Sequence, residues 1–520
     1  MDDVTRAAHR VVMGAFAGPE LPDWARRQLD DGMGSVALFG SNVRDADQVS
    51  ELTAAIHAAG DDVIICTDEE GGDVTRLHMR HGNPFPGNAA LGSADDEELT
   101  ERVAAEIGAE LAAVGIDLDL GPTVDVNSNP HNPVIGVRSF GADPGLVARH
   151  TRASVRGLQA SGVGACVKHF PGHGDTALDS HLDLPSVDVR LKVLQSRELV
   201  PFLAAVQAGA LAVMTSHVLV RALDPVRPAT LSRTVLARLR AAPGDGGLGF
   251  TGLLVSDALD MRGASGGRGE PAAAVLALSA GCDLLSVGAD KEAETVDAIV
   301  RAVVAAVRSG ELAEERLLDA AERVRATART IAGWAPQRAR AAATRTTPDG
   351  SGITAAALAA AWQGLRVTGG LPAGGLRSAT VLRYLTPSTI AVGEVPWGLP
   401  PDGAVLAGRP HVDVRPGDPM ADLVQAAAGA PVVALVREQH RHPWVAQSLT
   451  ALHQHRADLV VVEMGWPAPT PVPAAATVHT FGASRANGAA VDALLAGAAR
   501  PAAGVGAAGV GAAGGRVADQ

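Results

Sequence analysis

The stretch from Lys168 to Pro185, KHFPGHGDTALDSHLDLP, holds an unusually dense group of reactive side chains: three His, three Asp and one Lys. A packed core does not hold this many titratable groups unless they are paired or neutralised, so a solvated surface loop is one interpretation. The apolar run Gly164–Val167 leads directly into the stretch. Strands of barrels and open sheets deliver functional residues in this way at their carboxyl ends. We therefore predict a functional edge of the fold here.

Metal binding is one chemistry that this stretch could support. His169 and His173 are four residues apart, a spacing that places two imidazoles on one face of a helix in zinc sites. Pro171 and Gly172 lie between them and oppose a helix. We expect no metal, and a loop site that adds His181 and the nearby aspartates remains the alternative.

Acid and base catalysis is the second chemistry. Asp179 lies two residues before His181, a spacing at which a bent loop lets the carboxylate accept a hydrogen bond from one ring nitrogen. That bond fixes the tautomer and orients the other nitrogen for proton transfer. Histidine needs little tuning to transfer protons near neutrality, so His181 is a candidate acid/base and Asp179 its partner.

A candidate nucleophile comes later in the chain. Asp257 ends the apolar run Leu253–Ser256, where an isolated carboxylate at a strand end faces the mouth of a barrel or is paired. Asp260 is the nearby competitor, and a structural salt bridge is the alternative for Asp257. The sequence carries no serine-hydrolase elbow, Walker loop or clear dinucleotide fingerprint, so we predict no cofactor.

Eight short apolar runs alternate with helical patterns over the first part of the chain and predict the scaffold for these residues. The runs are Val11–Phe16, Ser35–Phe39, Val63–Thr67, Ile116–Leu120, Gly164–Val167, Leu211–Thr215, Leu253–Ser256 and Cys282–Val287. Polar residues follow five of them: Asp68, Asp125, Lys168 with His169, His217, and Asp257. This pattern predicts a (β/α)8 barrel with the polar residues on one face, and a doubly wound open sheet is the alternative.

One intervening helix is well marked. Asp95 to Val114 has an acidic first turn, and its apolar residues Val103, Ile107 and Leu111 fall on one face with Val114. We predict Ser93 as its amino-terminal cap.

The sequence predicts a second, smaller α/β domain. We assign residues 1–334 to the barrel, 335–352 to a linker rich in Arg, Ala and Thr, 353–498 to the second domain and 499–520 to a flexible Gly/Ala-rich tail. The strand candidates of the second domain are Ala379–Leu385, Val432–Val436 and Leu459–Met464, with a helix at Met420–Ala428. The charged cluster Arg437 to His442 is predicted to be a solvated turn.

Composition limits the function classes. The formal charge of −13 and the pI near 5.6 oppose binding to nucleic acid or to anionic membranes, which require concentrated Lys and Arg. Cys66, Cys166 and Cys282 each lie in an apolar run, so we expect buried thiols. Neither a signal peptide nor a membrane-spanning run is evident, and we expect a cytoplasmic protein of unknown oligomeric state.

Several motifs together resemble glycoside hydrolase family 3, in its β-N-acetylglucosaminidase branch. They are DEEGGDVTRL from Asp68, GPTVDVNSNPHNPVIGVRSFG from Gly121, the KHFPGHGD and DSH pair in the stretch above, MTSHV from Met214 and VSDALDM from Val255. Beyond the linker, HTFGASRANGAAVDALL from His479 resembles the end of the family's carboxyl-terminal α/β sandwich domain.

The resemblance implies a retaining exo-β-N-acetylglucosaminidase that acts on a small carbohydrate. It implies Asp257 as the nucleophile and His181 with Asp179 as the acid/base dyad. The positions that it implies for sugar binding are Asp68, Arg76, Arg138, Lys168, His169 and His217. Muropeptide fragments are the implied class of substrate. Asp73 and Val137 depart from the common family pattern, at positions where either could retune the sugar subsites.

Three other functions remain open at this point, one of them a metal-dependent hydrolase that uses the loop site described above. A neutral histidine does not repel an anion, so inorganic phosphate could replace water and make the protein a phosphorylase. A sugar-binding protein that has lost catalysis is the alternative from another class, although a binder needs neither Asp257 nor His181.

Overall fold

A barrel of parallel strands forms the first part of the fold in the computed structural model, which describes residues 1–176, 184–344, 352–372, 374–377, 379–409 and 411–499. Its strands are β1 (Val12–Gly14), β2 (Ser35–Leu38), β3 (Ile64–Thr67), β4 (Leu118–Asp119), β5 (Gly164–Phe170), β6 (Ala212–Thr215), β7 (Leu253–Val255) and β8 (Leu285–Ser286). Within the described ranges they form one eight-stranded sheet in the order β8-β1-β2-β3-β4-β5-β6-β7. A parallel bridge between Val255 and Leu284 joins the last strand to the segment that enters β8. The sheet is therefore nearly closed, and the predicted barrel is confirmed.

Helices surround this sheet. They are α1 (Asp3–Arg10), α2 (Asp23–Asp30), α3 (Ala46–His57), α4 (Asn88–Ala94), α5 (Glu97–Ala113), α6 (Pro144–Ala160), α7 (Leu191–Val193), α8 (Leu199–Gln207), α9 (Arg233–Arg240), α10 (Arg262–Ser265), α11 (Glu270–Ala280), α12 (Ala293–Ser309), α13 (Glu314–Ala332) and α14 (Ala335–Thr344). A π-helical turn, Leu194–Glu198, leads into α8. A small ribbon pairs Ser186–Val187 with Leu219–Val220 beside the barrel.

Helix α5 shows one correction to the sequence-based expectation. Its cap is Asp96, whose side chain accepts a hydrogen bond from the Leu99 N–H, and not Ser93. The separate helix α4 ends at Asp95 in the left-handed region, with φ of 52°, so a new helix begins only after that residue. Ser93 Oγ instead donates to the Gly364 carbonyl at 2.7 Å. The predicted apolar face of α5 is buried as expected.

The interior of the barrel is filled by small aliphatic and sulfur-containing side chains, as the low aromatic content indicates. Met13, Ile64, Cys66 and Cys166 belong to this cluster. All three cysteines are free and buried, and burial raises the pKa of Cys66 to about 12. The expectation of buried thiols is confirmed.

The second domain is a mixed sheet between two layers of helices. Its strands are β9 (Arg366–Gly369), β10 (Thr380–Tyr384), β11 (Val412–Val414), β12 (Val432–Val436), β13 (Val460–Glu463) and β14 (Ala476–His479), in the order β9-β14-β13-β12-β10-β11. Strand β9 alone is antiparallel to its neighbour in this sheet as described. The helices are α15 (Ala355–Gly364), α16 (Met420–Ala426), α17 (Pro443–His455) and α18 (Arg485–Leu495). The three predicted strands correspond to β10, β12 and β13.

Two helices connect the second domain to the barrel. Helix α15 packs against α4 and α5, and its Ala360 and Trp362 belong to the same apolar cluster as the outer barrel. Helix α14 occupies residues that the sequence assigns to the linker, and its Arg338 donates to Asp117 Oδ1 at 3.1 Å. The domain boundaries themselves remain our proposal.

Among the helices that the structure describes, none combines the length and the apolar character needed to cross a bilayer.

Candidate active site

A cavity of about 480 Å³ opens at the carboxyl ends of the barrel strands. This volume is in the range typical of small-molecule sites. The predicted site residues that line it are Asp68, Arg76, Arg138, Lys168, His169 and Asp257. The structure therefore brings together side chains that follow strands β3 and β7, Lys168 and His169 from the last part of β5, and an arginine from the connection between β4 and α6.

A cluster of opposite charges forms one wall of this cavity. Lys168 Nζ donates to Asp68 Oδ1 at 2.6 Å and lies 2.7 Å from Glu70 Oε1. Arg138 donates to both oxygens of Glu70, at 2.8 and 2.9 Å, while Arg76 Nη2 donates to Asp68 Oδ2 at 3.3 Å. Burial opposes ionisation of Asp68, but Lys168 and Arg76 outweigh it and hold its pKa below the ordinary value. The wall therefore carries fixed charges of both signs.

His169 and His173 share one carboxylate. His169 Nδ1 lies 2.7 Å from Asp125 Oδ2, and the His173 backbone N–H donates to Asp125 Oδ1 at 2.7 Å. Burial, with repulsion from His169, lowers the pKa of His173 to about 4. Its Nδ1 lies 2.9 Å from Thr176 Oγ1. His173 therefore shapes the loop as a neutral side chain, and Asp125 fixes the ring orientation of His169.

Asp257 follows strand β7 and is held by its neighbours. Its N–H donates to Thr215 Oγ1 at 3.3 Å, and its Oδ1 accepts the Ala258 N–H at 2.8 Å. His217 is buried, with Nε2 2.8 Å from the Ala258 carbonyl and Nδ1 2.9 Å from Thr230 Oγ1. His217 does not line the cavity, so it braces the segment that carries Asp257. The predicted contact between His217 and the sugar remains a prediction.

The competing carboxylate, Asp260, lies at the rim of the same cavity. It pairs with Lys291 Nζ at 2.9 Å, and Lys291 also reaches Glu270 at 3.3 Å. A salt bridge was the alternative role for Asp257, and in the structure it is Asp260 that forms one.

The proposed acid/base dyad, Asp179 and His181, lies outside the described residues, which resume at Leu184. The segment that leads to the dyad is described and well anchored. Arg197 Nη2 donates to Asp175 Oδ2 at 2.7 Å, and Ser128 Oγ donates to Asp175 Oδ1 at 3.2 Å. These contacts, with those of His173 described above, indicate that His173 and Asp175 shape the loop.

Glu198 is buried beneath this segment. Its Oε1 accepts Arg197 Nε at 2.5 Å, whereas its Oε2 has no hydrogen-bond partner among the residues placed by the structure. A Cβ on Gly172 would meet that oxygen at 2.8 Å. Burial raises the pKa of Glu198 to about 7, although Arg197 opposes the shift. The folded state therefore favours the neutral carboxyl group.

Glu198→Gln is expected to remove a pH-dependent loss of stability. The pKa of Glu198 in the folded state lies above the ordinary value of 4.5, so wild-type stability falls as the pH rises from about 4.5 to about 7 and then levels. A difference of one pKa unit corresponds to about 1.4 kcal/mol, so the free energy of unfolding of the variant should exceed that of the wild type by on the order of 3 kcal/mol at pH 8 and should equal it near pH 4. Thermal melting at the two pH values measures this difference. Glu101→Gln, at an exposed Glu paired with Arg156, is the matched control, and an equal Glu198→Gln effect at both pH values contradicts the prediction.

The second domain contributes to the mouth of the cavity, which sequence reasoning missed. Ile390, Ala391 and Gly393 line it, and Arg76 Nη2 donates to the Ala391 carbonyl at 3.2 Å. Ile390 is 60% exposed, an unusual position for a large apolar side chain. The connection that carries these residues has no apolar periodicity, so the sequence offered no signal for it.

The charged turn after β12 is largely covered, with side-chain exposures of 12% for Arg437, 20% for Glu438 and 23% for Arg441, which corrects the expectation of a solvated turn. His440 Nε2 lies 2.9 Å from the Pro130 carbonyl and Arg441 donates to the Pro133 carbonyl at 3.4 Å, because the barrel loop covers the turn. Arg437 packs over the Trp397 ring at 4.7 Å and lies 4.0 Å from Asp73 Oδ2.

Asp73 and Val137, the two departures from the family pattern, line a separate cavity of about 40 Å³ between the domains. Neither lines the larger cavity. Asp73 Oδ1 also accepts the Ala483 N–H at 2.8 Å. The structure therefore places both residues at the contact between the two domains.

Within the described ranges, no group of three or more His, Cys, Asp or Glu side chains has an arrangement that could hold a metal ion. His169 and His173 lie with ring centroids 6.0 Å apart, and each is engaged by Asp125 as described above.

Comparisons with known proteins identify the family of this chain. Residues 24–327 match the family described as "Glycosyl hydrolase family 3 N terminal domain". A β-hexosaminidase A from Pseudoalteromonas piscicida is 36% identical over 287 residues, which are 51% of this chain and 47% of that protein. The match thus spans about half the length of that relative. A β-hexosaminidase from Stenotrophomonas maltophilia (strain K279a) is 38% identical over 279 residues, covering 52% of this chain and 81% of that one.

A solved structure extends the similarity to both domains. The glycoside hydrolase family 3 β-N-acetylglucosaminidase from Paenibacillus sp. str. FPU-7 superimposes with a TM-score of 0.81 at 32% identity. The superposition covers 96% of this chain and 97% of that chain. The barrel, the clustered polar residues and these matches together show that the chain belongs to glycosyl hydrolase family 3, a family of glycosidases.

Proposed function

We propose that this glycosidase is a retaining exo-β-N-acetylglucosaminidase that removes terminal N-acetylglucosamine from amino-sugar glycosides. The observation that carries the proposal is the shared cavity in which Asp257 accompanies Asp68, Arg138, Lys168 and His169. A carboxylate beside an array of hydrogen-bonding side chains is what attack on a bound sugar requires. The names of the similar proteins, two β-hexosaminidases and a β-N-acetylglucosaminidase, support the choice of sugar.

The proposed reaction is a double displacement. Asp257 attacks the anomeric carbon and forms a glycosyl ester, while His181 protonates the leaving oxygen and Asp179 holds the imidazole. His181 then takes a proton from water, which attacks the ester from the opposite face and releases Asp257. Two inversions give net retention of the β configuration.

The charged wall supplies the sugar ligands in this proposal. Asp68, Arg76, Arg138, Lys168 and His169 offer donors and acceptors to the hydroxyl and acetamido groups of one terminal residue. Each is held by at least one neighbour, so little side-chain entropy is lost when the sugar binds. The choice of muropeptide fragments as the natural substrate is a more specific proposal, and it depends on the family resemblance.

Anomer-resolved product analysis tests the proposed function. With an aryl N-acetyl-β-glucosaminide, proton NMR is expected to show β-N-acetylglucosamine first, followed by mutarotation. The corresponding β-glucoside is expected to react more slowly. Initial formation of the α anomer contradicts retention, and the absence of turnover with either glycoside supports the non-catalytic alternative.

The same assay distinguishes hydrolysis from phosphorolysis. With inorganic phosphate present, the hydrolase proposal predicts an unchanged rate and no sugar 1-phosphate. A phosphate-dependent rate with sugar 1-phosphate as product supports the phosphorylase alternative.

A further inference from the structure

Glu70 occupies the centre of the charged wall, although the sequence motifs did not single it out. Its side chain is 1% exposed. Arg138 donates to both of its oxygens, Lys168 Nζ lies 2.7 Å from Oε1, and Thr123 Oγ1 donates to Oε2 at 3.1 Å. One buried carboxylate therefore holds two cations that line the cavity.

The geometry of these contacts fixes the direction of the cationic groups. Because a guanidinium that meets a carboxylate through two parallel bonds is held in one plane, Arg138 has no freedom to turn. Its Nη1 donates to the Val134 carbonyl at 3.2 Å, and its Nη2 lies 3.4 Å from His169 Nε2. Without Glu70, both long side chains regain rotamer freedom.

The same contacts also pair each cation of the wall with a carboxylate. Each Lys or Arg that lines the cavity in the described part of the chain contacts a carboxylate: Arg138 meets Glu70, Arg76 meets Asp68, and Lys168 meets both. A sugar is neutral, so a wall whose cations are all paired with carboxylates binds it with little competition from anions. A free cation in a partly buried site would instead attract them.

We propose that Glu70 is a positioning residue that orients Arg138 and Lys168 toward the sugar and, together with Asp68, offsets their charge, which keeps small anions out of the sugar site. The proposal rests on the proposed function for the identity of the sugar. The exclusion of anions follows from the described contacts alone.

Glu70→Gln tests both parts of the proposal. The amide keeps one acceptor oxygen but loses the charge and the second acceptor. We expect KM for an aryl N-acetyl-β-glucosaminide to rise about tenfold, the size of one charge-assisted hydrogen bond, with a smaller change in kcat. We also expect sodium sulfate to become a competitive inhibitor of the variant at millimolar concentration. Sodium chloride at equal ionic strength is the reference that accounts for general screening by salt.

Two further variants separate charge from geometry and from general damage to the fold. Glu70→Asp keeps the charge on a shorter side chain, so we expect a raised KM without sulfate inhibition. Glu69→Gln alters the adjacent buried carboxyl group, which accepts the N–H groups of Arg76 and Leu77 at 3.0 Å and does not line the cavity. We expect it to change stability without conferring sulfate inhibition.

Several results would overturn the proposal. One is a KM for Glu70→Gln equal to that of the wild type, without sulfate inhibition. The others are sulfate inhibition of Glu70→Asp, and sulfate inhibition of Glu69→Gln as strong as that of Glu70→Gln. Calorimetric titration with sulfate keeps the test separate from the proposed function. If the wild-type protein hydrolyses no glycoside, the proposed function fails. Sulfate binding by Glu70→Gln and not by the wild type would still support the exclusion of anions. If Glu70→Gln does not bind sulfate, the exclusion of anions is rejected.

Discussion

Asp257→Asn is expected to lower kcat for an aryl N-acetyl-β-glucosaminide by on the order of 10⁴-fold or more, because loss of a nucleophile has effects of this size in other enzymes with covalent intermediates. Asn is close to isosteric, and its side-chain oxygen can still accept the Ala258 N–H that now bonds Oδ1. The segment should therefore fold unchanged, and the loss should fall on the chemical step.

Asp260→Asn is the matched control, since Asp260 lines the same cavity. Its carboxylate pairs with Lys291, so we expect less than about a tenfold change in kcat, the range of an exposed ion pair. Mass spectrometry with a fluorinated substrate that slows hydrolysis of the ester should show a sugar adduct on wild type and on Asp260→Asn, but none on Asp257→Asn. Near-normal turnover by Asp257→Asn, or a dead Asp260→Asn enzyme, would reject Asp257 as the nucleophile.

His181→Ala is expected to produce a loss that depends on the leaving group. A positioned general acid contributes about 10²–10⁴-fold, and that contribution matters most when the departing oxygen is basic. We expect the variant to lose about 10³-fold with a simple alkyl or sugar aglycone. It should lose far less in the first step with a dinitrophenyl aglycone, which leaves without a proton.

Pre-steady-state kinetics measures this difference. With the dinitrophenyl substrate, the second step still lacks a base, so we expect a burst of phenol followed by slow turnover that added azide accelerates. His131→Ala, at an exposed histidine outside the cavity lining, is the control. The same fractional loss with every leaving group would show that His181 is not the acid.

The scaffold of this protein was largely predictable from its sequence. Seven of the eight predicted apolar runs contain an observed barrel strand, and the eighth, Gly164–Val167, is the first part of β5, which continues to Phe170. Parallel strands place their carboxyl ends on one face, so polar residues that follow different runs were expected to meet. In the second domain, by contrast, β9, β11 and β14 were missed; β9 is exposed and β11 is only three residues long.

Surfaces that face another domain could not be predicted in the same way. The charged composition of the turn at Glu438 and Arg441 predicts a solvated turn, yet the barrel loop covers it. Ile390 reads as an ordinary connecting residue, yet it lies at the mouth of the cavity. In both cases the deciding contact comes from a segment hundreds of residues away.

Three consecutive acids, Asp68, Glu69 and Glu70, show the division most clearly. The sequence determined that acidic residues follow strand β3 at the functional face, because an apolar run ends there. Only the tertiary structure decided that Asp68 meets Lys168 and Arg76, that Glu69 accepts backbone N–H groups, and that Glu70 holds Arg138 and Lys168. Successive side chains beyond a strand end point in different directions, so each of the three acids meets its own set of partners, and those partners come from the end of β5, from the connection between β4 and α6, and from the loop of the acids themselves.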